Sequence, residues 1–219
     1  LREVREGESV IGAQLNQGYE SASGFWQAFR KNFGERPGKS NGVGVLAAKW
    51  IDTPLGAMLA VAGDEGLCLL DFVDRKGLER AIGRLRNRTK SVITPGENTH
   101  LEKITAELGE YFSGKLNRFT VPVRPGGSPF DKSVWSNLGK IPYGRTWSYA
   151  QLAQKVGDPK AVRAVAQANG RNYLAIIIPC HRVIRSDGSL SGYGGGVWRK
   201  KRLIEIEKSA GSPRIISPP

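Results

Sequence analysis

The spacing of the hydrophobic positions changes twice along the chain. Residues 1–38 place apolar side chains at roughly helical intervals, which predicts a short all-α segment of two helices with a turn near Gly18. The run over 36–42 holds proline and glycine among polar residues and predicts a linker. We therefore expect a domain boundary shortly before residue 43.

Residues 43–127 alternate short apolar runs with turn residues, which is the pattern of strands. Three strands are predicted, over 45–50, 55–62 and 67–72. A basic helix over 78–88 and an amphipathic helix over 100–112 are predicted after them. The segment is expected to form an α/β domain, and no phosphate-binding loop is evident in its sequence.

Residues 128–210 return to a mostly helical pattern. Helices are predicted over 131–138, 149–156, 160–169 and 199–208. Gly157 and Pro159 separate the second helix from the third, so this pair reads as a helix–turn–helix. The apolar residues 175–178 lead into Cys180 as a buried strand or turn.

The charge is strongly positive and unevenly distributed. The 219 residues hold 33 Lys/Arg and 20 Asp/Glu, for a formal net charge of +13. Residues 130–219 account for a net +10 of this excess, and the first 129 residues for only +3. A polyanionic partner such as DNA is one explanation, because phosphate contacts release condensed counterions. A solvated basic surface is the other.

The cysteine and histidine counts exclude several classes of protein. Two cysteines and two histidines, with no Cys-x-x-Cys motif, give poor support to a disulfide scaffold or a zinc site. No run of 18 apolar residues and no signal peptide is seen, so no membrane span is expected. We expect a reduced cytoplasmic protein, in the bacterial cytosol or nucleoid, without a metal.

Cys180 and His181 are the candidate reactive pair. A thiol becomes a strong nucleophile only as the thiolate, so it needs a base or a positive charge nearby. Adjacent side chains often point apart, which favours contact through one water over a direct bond. A carboxylate should orient the imidazole, and Glu205 and Glu207 are the candidates. The alternative is an inert core cysteine beside a structural histidine.

The sequence around this pair resembles a known family. The run Ile178-Pro179-Cys180-His181-Arg182, followed by the loop Ser191-Gly192-Tyr193-Gly194-Gly195-Gly196, is highly specific. Further matches are Thr53-Pro54-Leu55-Gly56, Phe130, Val134-Trp135, Ile141-Pro142-Tyr143-Gly144, Ser148-Tyr149 and residues 160–165. Over about residues 43–208 the chain resembles the O6-alkylguanine-DNA alkyltransferases, also called methylated-DNA–protein-cysteine methyltransferases.

The resemblance implies a fold and a domain organisation. A ribonuclease-H-like α/β domain over 43–127 would be followed by a mostly helical, winged helix–turn–helix alkyltransferase domain over 128–210. It also implies catalytic roles. Cys180 would accept the alkyl group, His181 would act as base through water, and Glu207, 27 residues after the cysteine, would orient His181. Asn172 would brace the turn that supports the site.

The resemblance implies DNA-contacting residues as well. The helix 160–169 would dock in the minor groove of double-stranded DNA, with the target base flipped out of the stack. Tyr149 would help to rotate the phosphate, Arg163 would fill the vacated stack, and Ala164 would allow close approach. Arg182 is a further predicted DNA contact. Tyr193 and Gly194 would line the base pocket, although Gly194 stands where some members have serine, and Tyr173 stands where many have proline.

The implied chemistry is transfer of an alkyl group from O6-alkylguanine, and also from O4-alkylthymine, to Cys180. The thioether product has no good leaving group, and Cys68 reads as a core residue, so each molecule should act once. No cofactor is expected, and the protein is expected to act as a monomer. The alternatives are a non-catalytic DNA-binding regulator, an alkylation-damage sensor, or a cysteine hydrolase.

The N-terminal segment resembles part of a second family. Residues 7–38 resemble the second helix–turn–helix of AraC-type regulators, with Gly18 at the turn and a recognition helix over 21–33. In Ada-like proteins such a regulator precedes an alkyltransferase domain. The usual partner helix–turn–helix is not seen, so a truncated Ada-like protein is the prediction.

Overall fold

The computed structural model describes residues 44–210 and positions 23, 24, 26, 27 and 29. These residues form two compact units. The first runs to Ala106 and adds Thr120–Gly126 and Tyr173–Ala175. The second comprises Glu107–Phe119, Gly127–Asn172 and residues 176–210.

The first unit is built on a four-stranded mixed sheet in the order β3-β2-β1-β4. Its strands are β1 (Gly44–Ile51), β2 (Met58–Gly63), β3 (Gly66–Phe72) and β4 (Ser91–Pro95). Neighbours β1, β2 and β3 pair antiparallel, whereas β4 pairs parallel to β1, with Val45 opposite Val92. A parallel pair needs a crossover connection.

Helix α1 (Leu78–Thr89) lies in that crossover. Its buried residues are Leu78, Ala81, Ile82 and Leu85, the i, i+3, i+4, i+7 spacing of one apolar face. They join the core of the sheet, which also contains Phe29 from the described N-terminal positions. Helix α2 (Thr99–Phe112) follows β4, and Asn98 caps it by accepting a hydrogen bond from the backbone N–H of Leu101 at 2.9 Å.

The strand predictions are confirmed for β1 and β3, each to within one residue. The strand predicted over 55–62 begins later, at Met58, because Gly56 has a positive φ of 104° and closes a turn with Thr53. Strand β4 was not predicted. It is only five residues long and ends in Pro95, so it gives little periodic signal.

The second unit is mainly helical. Its helices are α2 from residue 107 onward, α3 (Pro129–Leu138), α4 (Tyr149–Val156), α5 (Val162–Gly170) and α6 (Val197–Ala210). Two short strands, β5 (Trp147–Ser148) and β6 (Val183–Ile184), pair in parallel. A single 3₁₀ turn, Cys180–Arg182, directly precedes β6.

Helices α4 and α5 form the predicted helix–turn–helix. Ser148 caps α4 with a reciprocal capping box, and Gly157 ends it in the left-handed conformation, so the predicted bounds 149–156 are confirmed. The helix predicted over 160–169 begins at Val162 instead. The delay arises because Asp158 accepts the N–H of Lys160 and holds a turn over these residues.

The predicted AraC-type segment, residues 1–38, lies almost wholly outside the described residues. Of the predicted recognition helix, positions 23, 24, 26, 27 and 29 are helical. Phe29 is 1% exposed, and Trp26 contacts its ring edge-to-face at 5.3 Å. None of the helices described is long and apolar enough to span a bilayer.

Candidate active site

The segment that carries the candidate nucleophile is a turn. Leu174 makes a parallel bridge to Leu70 within the first unit, and residues 175–177 then turn. Ile176 is buried with φ of 71°, a left-handed conformation that is costly for a β-branched side chain. The prediction of a strand or turn over 175–178 is therefore resolved in favour of a strained turn.

Cys180 begins the 3₁₀ turn and is held from one side by an amide. Its side chain is 5% exposed. The Nδ2 atom of Asn172 lies 3.1 Å from the Cys180 Sγ and 2.9 Å from the carbonyl oxygen of Ile178. One amide group thus fixes the turn and donates to the sulfur. A donor aimed at sulfur favours the thiolate over the thiol.

His181 is fully buried and contacts a carboxylate. Its Nε2 lies 2.8 Å from Oε1 of Glu207. Because a carboxylate can only accept, Nε2 carries the hydrogen and Nδ1 holds a lone pair. Nδ1 is buried and has no hydrogen-bond partner among the described protein atoms. Burial lowers the pKa of His181, outweighing the opposing effect of Glu207, so the imidazole is neutral and can accept a proton.

Glu207 is the centre of a dense hydrogen-bond network. Its carboxylate accepts from the phenol of Tyr111 at 2.8 Å and from the backbone N–H of Gly144 at 3.2 Å, besides His181 and Arg182. Burial acts to raise the pKa of Glu207, but the hydrogen bonds from His181 and Arg182 and the charge of Arg182 outweigh it and lower the pKa to about 2. The other candidate, Glu205, is half-buried on α6 and pairs with Arg202 at 2.8 Å.

Arg182, which the sequence predicts as a DNA contact, lies in the interior of the second unit. Arg182 is only 8% exposed. Its guanidinium donates twice to Glu207, at 2.8 and 3.0 Å, and once to the carbonyl oxygen of Ile141, at 2.7 Å. It also stacks over the Tyr143 ring at 5.6 Å. Through these hydrogen bonds the charge of Arg182 compensates the buried negative charge of Glu207.

A second buried cation lies near the nucleophile. Lys200 in α6 is fully buried, and its Nζ donates to the carbonyl oxygen of Val183 and to the Ser191 hydroxyl at 2.8 Å. The Ser191 Oγ in turn lies 2.8 Å from the phenol oxygen of Tyr149. Burial lowers the pKa of Lys200 to about 8, while the charge of Cys180 acts to raise it.

The predicted DNA-facing residues are accessible. Arg163 and Ala164 are exposed in the first turn of α5, and Tyr149 is half-buried at the first turn of α4. Gly194 is exposed, and Tyr193 beside it is half-buried. The opposite face of α5 is packed, since Ala168 is buried and its carbonyl accepts from Trp135 Nε1 at 2.9 Å.

Sequence reasoning missed three residues of this site: Tyr111, Ser191 and Lys200. Tyr111 stands 96 positions before its partner Glu207, so no local pattern could connect them. Lys200 belongs to a run of four cations, Arg199 to Arg202, that reads as a solvated face. The burial of Lys200 could have been inferred only from its position on a helix whose apolar face must pack against the rest of the unit.

Cys68 belongs to the first unit, whereas Cys180 belongs to the second. Cys68 is buried in β3 of the first unit, and burial raises the pKa of its thiol. A thiol with a raised pKa stays protonated and is a poor nucleophile at neutral pH. Within the described part of the chain no group of three or more His, Cys, Asp and Glu is arranged to hold a metal ion.

The geometry of the site defines a class of protein. A buried thiol beside a neutral imidazole and a carboxylate is a nucleophilic centre, and here it shares one unit with a helix–turn–helix. Two family models match the chain. The 6-O-methylguanine DNA methyltransferase ribonuclease-like domain matches residues 47–125, and the DNA-binding domain of the same family matches residues 129–209.

Individual relatives agree with these models. A methylated-DNA–protein-cysteine methyltransferase of Methanosarcina barkeri is 41% identical over 160 residues, which are 73% of this chain and 95% of that relative. One from Mycobacterium leprae is 40% identical over 164 residues, 75% of this chain and 93% of the relative. The crystal structure of Mycobacterium tuberculosis OGT in complex with DNA matches with a TM-score of 0.63 and 38% identity, covering 77% and 96% of the two chains. This chain belongs to the methylated-DNA–protein-cysteine methyltransferase family.

Proposed function

We propose that this protein repairs DNA by moving the alkyl group of an O6-alkylguanine onto Sγ of Cys180. The observation that carries the proposal is the buried constellation at the 3₁₀ turn. Sγ lies at 3.1 Å from an amide donor of Asn172, and the neighbouring His181 lies at 2.8 Å from Glu207. The family membership supports the same reaction.

The proton leaves the thiol through His181. A water between Sγ and the His181 Nδ1 would carry the proton to that nitrogen, whose lone pair has no protein partner among the described residues. The imidazolium that forms is stabilised by Glu207, as in other nucleophile–base–carboxylate arrangements. The Asn172 amide stabilises the negative sulfur that remains.

The thiolate then attacks the alkyl carbon. The new S–C bond forms as the C–O6 bond breaks, and its electron pair stays on the guanine, which takes up a proton. The product is a thioether at Cys180 and an unmodified base. Because a thioether sulfur is a poor leaving group and Cys68 lies in the other unit, each molecule acts once and needs no cofactor. Transfer from O4-alkylthymine follows the same chemistry.

The helix–turn–helix would bind the DNA and bring the alkylated base to the sulfur of Cys180. Helix α5 would dock in the minor groove through the small side chain of Ala164, with β5 and β6 as the wing. The alkylated base must leave the stack to reach a buried sulfur. Arg163, exposed and cationic, would occupy the vacated space, and Tyr149 would turn the phosphate. Tyr193 and Gly194 would line the pocket, and one protein molecule would act on each lesion.

A mass measurement tests the proposal. The protein is incubated with duplex DNA that contains one O6-methylguanine, and the tryptic peptide with Cys180 is weighed. We expect one added methyl group per molecule, retained in the matched control Cys68→Ala and lost in Cys180→Ala. An unmodified Cys180 peptide in a protein that still binds the lesion would refute transfer and support a damage sensor.

A further inference from the structure

The C-terminal end of helix α5 supports the nucleophile at two points. Just beyond the helix, Asn172 donates through Nδ2 to the Cys180 Sγ at 3.1 Å. Asn169, three residues earlier, donates through Nδ2 to the carbonyl oxygen of Cys180 at 3.4 Å. Both asparagines are buried, so their positions depend on how this end of α5 is held within the second unit. Groups that hold it therefore act on the reactive sulfur from a distance.

Helix α3 holds this end of α5 through two side chains that lie about one helical turn apart. Trp135 Nε1 donates to the carbonyl oxygen of Ala168 at 2.9 Å. Arg171 donates through Nε and Nη2 to the same carboxylate oxygen of Asp131, at 3.0 and 2.7 Å. Arg171 is the residue that caps the end of α5, and Asn172 follows it directly. The ion pair therefore lies next to the residue whose amide donates to the sulfur.

The Asp131 carboxylate is itself held in one orientation. Its second oxygen accepts from the backbone N–H and the hydroxyl of Ser128, at 3.2 and 2.9 Å, in the capping box of α3. Burial acts to raise the pKa of Asp131, but the hydrogen bonds from Arg171 and Ser128 outweigh it and lower the pKa. A negative charge at the start of α3 and a positive charge at the end of α5 are both favoured by the helix dipoles. Both oxygens of Asp131 are thus bound, and the ion pair joins two helix ends.

We propose that Asp131 and Arg171 are positioning residues, whose ion pair holds the end of α5 so that the Asn172 amide stays within hydrogen-bond distance of the sulfur. The inference rests on the proposed function. The Arg171 side chain is 46% exposed, and pairs with such exposure contribute little to stability because water screens them. The effect should fall on the rate instead, since a misplacement of about 1 Å can slow a reaction roughly 100-fold.

The test compares transfer with binding and with folding. Arg171→Met breaks the ion pair and leaves Asp131 in its capping box. We expect a roughly five- to tenfold lower single-turnover rate constant at saturating O6-methylguanine DNA. Kd should change less than about twofold, and the unfolding midpoint temperature by less than about 4 °C. Arg171→Lys keeps the charge and should retain most of the rate. The matched control Lys132→Met removes an exposed cation beside Asp131 on α3 and should transfer at the wild-type rate.

Two double-mutant cycles show through which groups Arg171 acts. In an Arg171→Met background, Asp131→Asn should cause no further loss of rate, because the ion pair is already broken. In an Asn172→Ala background, Arg171→Met should cause no further loss, because the amide that it positions is gone.

Additive losses of rate in either cycle, a loss confined to Kd, or no loss at all would overturn the inference. Thermal unfolding checks the folding of each variant, and the first cycle decides the question if Asn172→Ala does not fold. Failure of the wild-type protein to transfer would instead refute the proposed function.

Discussion

At the scale of single residues, Glu207 is both the hydrogen-bond partner of His181, the proposed base, and a buried charge. We expect Glu207→Gln to slow alkyl transfer roughly 100-fold or more, since the imidazolium loses its stabilising charge. The same change leaves the buried Arg182 unpaired and should cost on the order of 3 kcal/mol of unfolding free energy. Single-turnover kinetics and urea unfolding measure the two effects.

The matched control for that variant is Glu205→Gln. Glu205 lies two residues earlier on α6, is half-buried with its side chain 41% accessible, and pairs at the surface with Lys201 and Arg202. Surface pairs contribute about 0–1 kcal/mol, so both rate and stability should stay near the wild-type values. Equal losses of rate and stability in the two variants would mean that α6 tolerates no change of charge. Such a result would contradict a specific role for Glu207.

The depressed pKa of Glu207 predicts how stability depends on pH. The pKa is about 2 in the folded protein and near 4.5 in the unfolded chain, so the folded state binds fewer protons in this range. The contribution, about 3 kcal/mol, is present above pH 4.5 and is lost as the pH falls toward 2. Unfolding free energies of wild type and Glu207→Gln should therefore converge on acidification; a constant difference would contradict the assignment.

How much of the site the sequence reveals depends on the distance between partners. Cys180 and His181 are adjacent, so their chemistry is readable from the residues alone. Glu207 could be chosen over Glu205 only through the family resemblance, because both lie on one helix. Tyr111 contacts Glu207 from another helix, and such a contact depends on tertiary packing that no local pattern encodes.

At the scale of elements, the left-handed Gly157 fixes where α4 ends and where the turn before α5 begins. Its φ is 97°, and a Cβ there would meet open space, so the cost of Gly157→Ala is conformational. We expect a loss of about 1 kcal/mol in unfolding free energy. Gly83→Ala in α1 is the matched control, because Gly83 is within a helix with open space around it.

The control substitution is expected to change the unfolding free energy in the opposite direction, so the two variants together identify the cause. Alanine in a helix interior is favoured over glycine by about 0.5–1 kcal/mol, so Gly83→Ala should stabilise the protein. Urea unfolding monitored by circular dichroism gives both values. If both substitutions shifted stability in the same direction, the left-handed turn would not be what distinguishes Gly157.

The elements that were predicted well are those specified by their own residues. Helix α4 has a capping residue, an apolar face and a terminal glycine within ten positions, so its bounds follow from local rules. Strand β4 is paired only with β1 in the described sheet, and each of its residues lies 47 positions after its partner. The two-residue strands β5 and β6 likewise exist only as a pair, and are too short to carry any periodicity.

At the scale of the whole molecule, the positive charge is concentrated where DNA would bind. Residues 130–219 carry a net +10, whereas the first 129 residues carry +3 despite a basic helix α1. Both regions offer exposed cations, namely Lys160 and Arg163 beside the helix–turn–helix and Arg80 and Arg84 on α1. The position of the helix–turn–helix favours the first pair as the one that contacts phosphate.

A salt titration distinguishes the two pairs. Log K falls as log salt rises, and each phosphate contact that is lost makes this negative slope shallower by about 0.9 for duplex DNA. Neutralising Lys160 and Arg163 together to Gln should make the slope shallower by about 1 to 2. The charge-matched variant with Arg80 and Arg84 changed to Gln should leave it unchanged, because only local contacts release counterions. A slope that becomes equally shallower in both variants would show that binding follows total charge, and would contradict the docking of α5 on DNA.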